Sequence, residues 1–145
     1  CSDDDDDENG IVGTWVFSSI TIDVKTSNST ATNIVTADMK EDYKNEDYKD
    51  EVWVFTEDGK VQYSYGTDGY EGTYKFEGNK LTIAYNYEND SYEDIYTVSV
   101  SDNKLVMYED DTQYYDKQYL EELGVSDPES VKVEKAVAEI NYQRK

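Results

Sequence analysis

The sequence predicts an all-β domain: an antiparallel up-and-down meander of about eight strands, closed into a barrel, with a C-terminal helix packed outside. Three observations predict it. Residues 51 to 108 alternate apolar and polar side chains with period two. Turn chemistry recurs roughly every 10 to 13 residues through that stretch. The first strand carries a phase slip of the kind that bends a sheet round on itself.

The chain has 145 residues, enough for one ordinary core and too few for two. The organisation expected is an acidic tether over residues 1–10 and one barrel domain over 11–145. Residues 11 to 25 read as the first strand. Within it Trp15 and Phe17 share one parity, whereas Ile20, Ile22 and Val24 share the other, so a bulge at Ser18-Ser19 is needed to bring all five to one face.

Residues 26 to 50 are polar at first, Thr26 to Asn33 being loop-like. They end in the pentads Glu41-Asp42-Tyr43-Lys44-Asn45 and Glu46-Asp47-Tyr48-Lys49-Asp50, which suit either a helical lid or a long loop. The meander follows, with turns expected at Asp58-Gly59, Thr67-Asp68-Gly69, Gly78-Asn79, Asn89-Asp90 and Asp102-Asn103. Val61, Tyr63 and Tyr65 then face one way, as do Tyr74 and Phe76, Leu81, Ile83, Tyr85 and Tyr87, and Tyr96, Val98 and Val100. A last strand is expected over Thr112 to Tyr119. Ser126-Asp127-Pro128-Glu129 has a capping residue, an early proline and an early carboxylate, and Val133, Val137 and Ile140 form a stripe. Together they predict a helix over about 127–142.

Composition excludes several functions. Thirty-four carboxylates against 13 basic residues give a net charge of −21, which repels phosphate backbones, so nucleic acid is not expected as a partner. Histidine is absent and Cys1 is the only cysteine. No imidazole or thiolate-rich zinc site and no Ser/His/Asp or Cys/His nucleophile can be built from such a chain. No catalytic residues, cofactor or metal are assigned, and the domain is read as non-enzymatic. Asp94, which shares parity with Tyr92 and Tyr96, is the one acid among the assigned inward positions and is expected near a strand end.

Two acidic stretches bear on calcium. Asp5, Asp7, Asn9 and Gly10 match the opening of an EF-hand loop, but the twelfth position would be Val16, where a bidentate Glu is needed. Glu109, Asp110 and Asp111 suit only diffuse attraction of hard cations.

Fifteen tyrosines, many with inward parity, offer rings for stacking and hydroxyls for orientation. Tyr63, Tyr65, Tyr74, Tyr85, Tyr87 and Tyr96 are the candidate ligand-binding residues, with core packing as the competing role.

Two resemblances extend this reading. Cys1-Ser2 followed by Asp3 to Asp7 and Glu8 resembles the mature start of a bacterial lipoprotein, with Cys1 as the lipidated residue. The acidic run resembles the signal that sends such proteins to the outer leaflet of the outer membrane. This implies a protein at the bacterial outer membrane, surface-exposed and touching the membrane only through its lipid anchor.

Gly13-Thr14-Trp15, with its echo Gly72-Thr73-Tyr74-Lys75-Phe76 and the hairpin Glu77 to Ile83, resembles the lipocalin superfamily and the lipocalin-like domains of bacterial surface lipoproteins. The resemblance implies that Trp15 closes one end of the barrel, and that the barrel binds a small apolar or glycan-type molecule. The alternative is a solid accessory subunit of a surface protein complex. Many eukaryotic lipocalins pack an arginine from near the end of the barrel on that tryptophan. Here the only arginine, Arg144, sits near the end of the given sequence, and a departure from that arrangement is expected.

Overall fold

The computed structural model describes residues 10–145. Cys1 and the acidic run, and with them the expected tether and lipidation site, lie outside the described residues, apart from Gly10. Eight strands close into an antiparallel barrel in sequence order: β1 (Gly13–Thr26), β2 (Glu51–Phe55), β3 (Lys60–Tyr65), β4 (Asp68–Glu77), β5 (Lys80–Tyr87), β6 (Asp90–Val100), β7 (Lys104–Asp110) and β8 (Val133–Arg144). Three helices accompany them: α1 (Ser29–Asp42), α2 (Asn45–Tyr48) and α3 (Lys117–Glu122).

The phase slip in β1 is a bulge. Phe17 pairs with Tyr142 and Ser19 with Asn141, leaving Ser18 unmatched, so Trp15 and Phe17 join Ile20, Ile22 and Val24 on the core side. The ladder from β1 to β8 runs from Trp15 opposite Arg144 to Thr26 opposite Val133, whereas β1 meets β2 only over Gly13 to Val16. The upper half of β1 therefore has a strand on one side only.

Helix α1 supplies the cover. Asn28 caps it through its side chain at the Ala31 amide, 2.9 Å, and Ala31, Val35 and Met39 recur every fourth residue on one buried face. Burying Val35 and Met39 contributes roughly 1.5–3 kcal/mol each. These residues share one core with Ala136 and Ala138, whose small side chains belong to the strand beside β1. The helical alternative for residues 26 to 50 is thus the one adopted, and the loop-like stretch shrinks to Ser27 and Asn28 between β1 and α1.

Two expected elements are corrected. The C-terminal helix is instead β8, preceded by one 3-10 turn at Pro128–Ser130. The stripe at Val133, Val137 and Ile140 misled because it skipped the alanines. Ala136, Ala138, Ile140 and Tyr142 are the buried inward set, and their period is two. Pairing on both edges, with β1 and β7, overrides the helix propensity of alanine and glutamate. The strand expected over Thr112 to Tyr119 is a 3-10 turn at Thr112–Tyr114 followed by α3, whose first turn is capped by Asp116 at the Tyr119 amide, 2.9 Å.

Smaller shifts concern turns and one acid. The β3–β4 turn centres on Gly66-Thr67, and the β5–β6 turn on Glu88-Asn89, with Gly66, Glu88 and Asn89 at positive φ. Asp94 lies within β6, opposite Ile83, and is not near a strand end. The first strand starts at Gly13 rather than Ile11.

Candidate functional site

The barrel has two unlike ends. At one, Trp15 is fully buried and donates its indole N–H to the Ile11 carbonyl at 2.8 Å. The Arg144 guanidinium lies over the Trp15 ring, 4.2 Å from its centroid. It also donates to the carbonyls of Gly10 and Val12, both at 2.7 Å, and to that of Asp102 at 2.6 Å. The expected departure is therefore overturned: β8 runs to Arg144 and delivers the side chain to the ring. Gly13 follows from the same geometry. A Cβ there would stand 2.6 Å from Arg144 Nη1, at a φ of +138° that disfavours any other residue.

Inside the wall the volume is taken by aromatic rings in contact. From the closed end upward, Tyr74 meets Phe55 edge-on at 5.0 Å, and Phe55 stacks on Trp53 at 5.9 Å. Trp53 meets Tyr63 at 4.5 Å, Tyr63 meets Tyr70 at 5.3 Å, and Tyr70 stacks on Tyr85 at 3.9 Å with planes 9° apart. Tyr85 stacks on Tyr92 at 5.4 Å. Tyr96 approaches Trp53 edge-on at 6.1 Å. The series starts among buried residues and ends at rings in water, Tyr92 being 43% exposed.

The structure therefore divides the six expected ligand-binding tyrosines. Tyr63, Tyr74, Tyr85 and Tyr96 pack against the core, and the Tyr74 hydroxyl donates to the Thr56 carbonyl at 2.7 Å. Tyr65 and Tyr87, 37% and 53% exposed, stand at the strand ends flanking the two hairpin turns of the open end.

Three carboxylates enter this aromatic interior, where parity had assigned only Asp94. Glu51 accepts from the hydroxyls of Tyr63 and Tyr142, each at 2.5 Å. Burial raises its proton affinity, and the two hydroxyls oppose that rise. Burial first, and then the same contacts, push both phenols well above their ordinary range. Glu109, on the inward parity of Leu105 and Met107, is likewise raised by burial and then by the charge of Asp111. Asp94 accepts from the Tyr85 hydroxyl at 3.1 Å. The buried Trp53 indole N–H has no well-aligned acceptor and lies toward the Tyr142 hydroxyl.

Helix α1 is fastened across this end by further tyrosine–carboxylate bonds. Asp38 accepts from the hydroxyls of Tyr115 at 2.7 Å and Tyr119 at 2.8 Å, and Asp111 accepts from Tyr43 at 2.8 Å. Tyr48 of α2 stacks on Phe17 at 5.9 Å, and burial first and then Glu51 raise its phenol to about 12.

Sequence reasoning passed over Glu51, Trp53, Tyr70 and Tyr142, and read Glu109 only as part of a diffuse acidic run. Parity was the available signal: Glu51 alternates with Trp53 and Phe55, and Tyr70 with Gly72, Tyr74 and Phe76. Among the described residues no group of three or more carboxylates or cysteines is close enough to hold a metal ion. The open end offers acceptors and ring faces, which orient a ligand through its hydroxyl or amine groups while stacking its apolar faces.

Comparison with known proteins returned one family. The lipocalin-like domain matches residues 11–107, from just before β1 to within β7. No curated protein and no solved structure matched the chain.

Proposed function

Because the chain belongs to the lipocalin-like domain family, we propose that it is a non-enzymatic binding barrel that takes a small amphipathic or glycan-type ligand at its open end. One observation supports this most. The stack of Tyr70, Tyr85 and Tyr92 leaves the core and finishes in water, flanked by Tyr65, Tyr87 and the Asp94 carboxylate. Exposed rings in a group are costly to leave wet, and they suit a flat ligand face, with Asp94 as an acceptor for its hydroxyls. With Trp53, Tyr63 and Tyr96 occupying the interior, the ligand sits on the rim rather than deep in a calyx.

Titration with neutral oligosaccharides and with amphipathic aromatic probes, read by tryptophan and tyrosine fluorescence, tests the reading. Saturable binding that Tyr92→Ala weakens about tenfold is expected, the loss of one good stacking partner. Binding unchanged in Tyr92→Ala and Tyr87→Ala, or no small molecule retained when the protein is taken from its host, would refute it.

The filled interior also supports a second reading, an accessory subunit of a surface protein complex that uses the same rim against a protein. Crosslinking in intact cells at position 87 distinguishes the two. A reproducible protein adduct favours the subunit, and its absence beside a retained ligand favours the container.

Anchorage at the outer membrane belongs to the same proposal and is supported by Cys1 and the acidic run after it. Metabolic labelling with a fatty acid should mark the protein, and Cys1→Ser should abolish the label and release the domain from membranes.

A further inference from the structure

A separate hollow lies where α1 ends and β7 gives way to α3. It is open to solvent, has a volume of about 390 Å³ and is lined by Asp42, Asp111, Tyr114, Tyr115, Asp116, Gln118, Tyr119 and Glu122. That volume falls in the range of small-ligand sites. Four carboxylates and three phenol rings form its wall, with no lysine or arginine among them. The neighbouring Lys117 and Lys44 have their ammonium groups on Glu129 at 2.6 Å and on Glu41 at 3.2 Å.

Burial first raises the proton affinity of Asp111, the hydrogen bond from Tyr43 opposes that rise, and the charges of Asp42 and Asp110 add to it. A hydrogen bond to Asp38 first, and then the fields of Asp42 and Glu122 among others, lift the Tyr119 phenol to about 12. Tyr114 leaves its ring 63% exposed at the edge of the hollow.

These features select among cations. The carboxylates surround the hollow without converging tightly enough for a metal ion, which needs several oxygens in one shell. An extended organic cation meets them better, because each ammonium group takes its own carboxylate while the methylene chain lies on the rings. We propose that this groove binds a linear polyamine, its ammonium groups on Asp42, Asp116 and Glu122 and its alkyl stem against Tyr114 and Tyr119. The site is distinct from the rim of Tyr87 and Tyr92, so neither proposal depends on the other.

Calorimetric titration of the intact protein with spermidine in about 150 mM salt tests it, since screening at that strength suppresses diffuse attraction to the net charge. One saturable site is expected. Asp42→Asn with Glu122→Gln should weaken it about tenfold or more, and Tyr114→Ala about threefold or more, for loss of two charges and one ring face. Asp68→Asn with Glu71→Gln, which removes the same charge from the distant β3–β4 hairpin, should leave affinity within about twofold, as should Tyr92→Ala. All these side chains are exposed, so the variants should fold, and circular dichroism verifies that they do.

The proposal is overturned by non-saturable uptake, by equal weakening in the two acidic pairs, by an unchanged Tyr114→Ala, or by binding of a trilysine peptide without any of spermidine.

Discussion

The closed and open ends of this barrel solve the same problem, polar groups at the edge of an aromatic core, in opposite ways. At the closed end Arg144 satisfies three backbone carbonyls and a ring face at once, and among the described residues no carboxylate takes part. At the open end Glu51, Glu109 and Asp111 are held partly out of water; Glu51 and Asp111 accept from phenol hydroxyls, which cannot neutralise them, and Glu109 has the like charge of Asp111 beside it. The closed end is built for stability. The open end carries a standing electrostatic cost that a ligand or a proton can lower.

Substitutions can break the contrast. Trp15→Ala should have the largest effect, about 3–5 kcal/mol in urea denaturation, because it opens a cavity where nothing can collapse and strips Arg144 of its ring. Arg144→Lys should cost about 1.5–3 kcal/mol, since an ammonium cannot reproduce the planar fork that reaches Gly10, Val12 and Asp102. An equal loss from a lid substitution would erase the distinction between the ends. Tyr115→Phe, which leaves Asp38 with only Tyr119, should cost about 1 kcal/mol and raise amide exchange in α1 ahead of β1.

Acidity sharpens the contrast. Each of Glu51, Glu109 and Asp111 binds its proton more tightly folded than unfolded. Their ionisation therefore weakens the fold as pH rises from the ordinary carboxylate range through the raised values, and the penalty disappears below both. Amides of α1 should be better protected at pH 5 than at pH 7.5 after correction for intrinsic exchange, whereas those of Trp15 to Phe17 change less. Glu51→Gln should flatten this dependence and alter stability at pH 7.5 by about 1 kcal/mol or less. Least of all, Lys135→Ala should leave the urea midpoint almost unchanged, because its 2.6 Å pair with Asp23 is half in solvent.

The wall was legible in the sequence wherever side chains alternated in size and polarity. Val61, Leu81, Ile83 and Val98 sit where period two placed them, and the Ser18 bulge followed from parity alone. β8 was misread because alanines at inward positions carry little hydrophobic signal. They are small for a reason visible only in three dimensions, since α1 and the flared half of β1 share their space. Family likeness singled out Trp15, which is fully buried, while its partnership with Arg144 needed the β1–β8 pairing to be seen. Glu51 was hidden by its type: a carboxylate on an inward position reads as a strand boundary until Tyr63 and Tyr142 are found on it.

The seam between β1 and β8 also bears on how the chain acquires this shape. Its longest ladder joins residues more than a hundred positions apart, and the guanidinium that locks the plug comes from that same late strand. Hairpins from β2 to β7 can assemble from near neighbours as they emerge during synthesis, but the cylinder stays unsealed until β8 arrives. Loop-closure entropy of that span makes sealing the slow step, so a ribosome-stalled chain lacking β8 should display its tyrosines to chaperones rather than to any ligand.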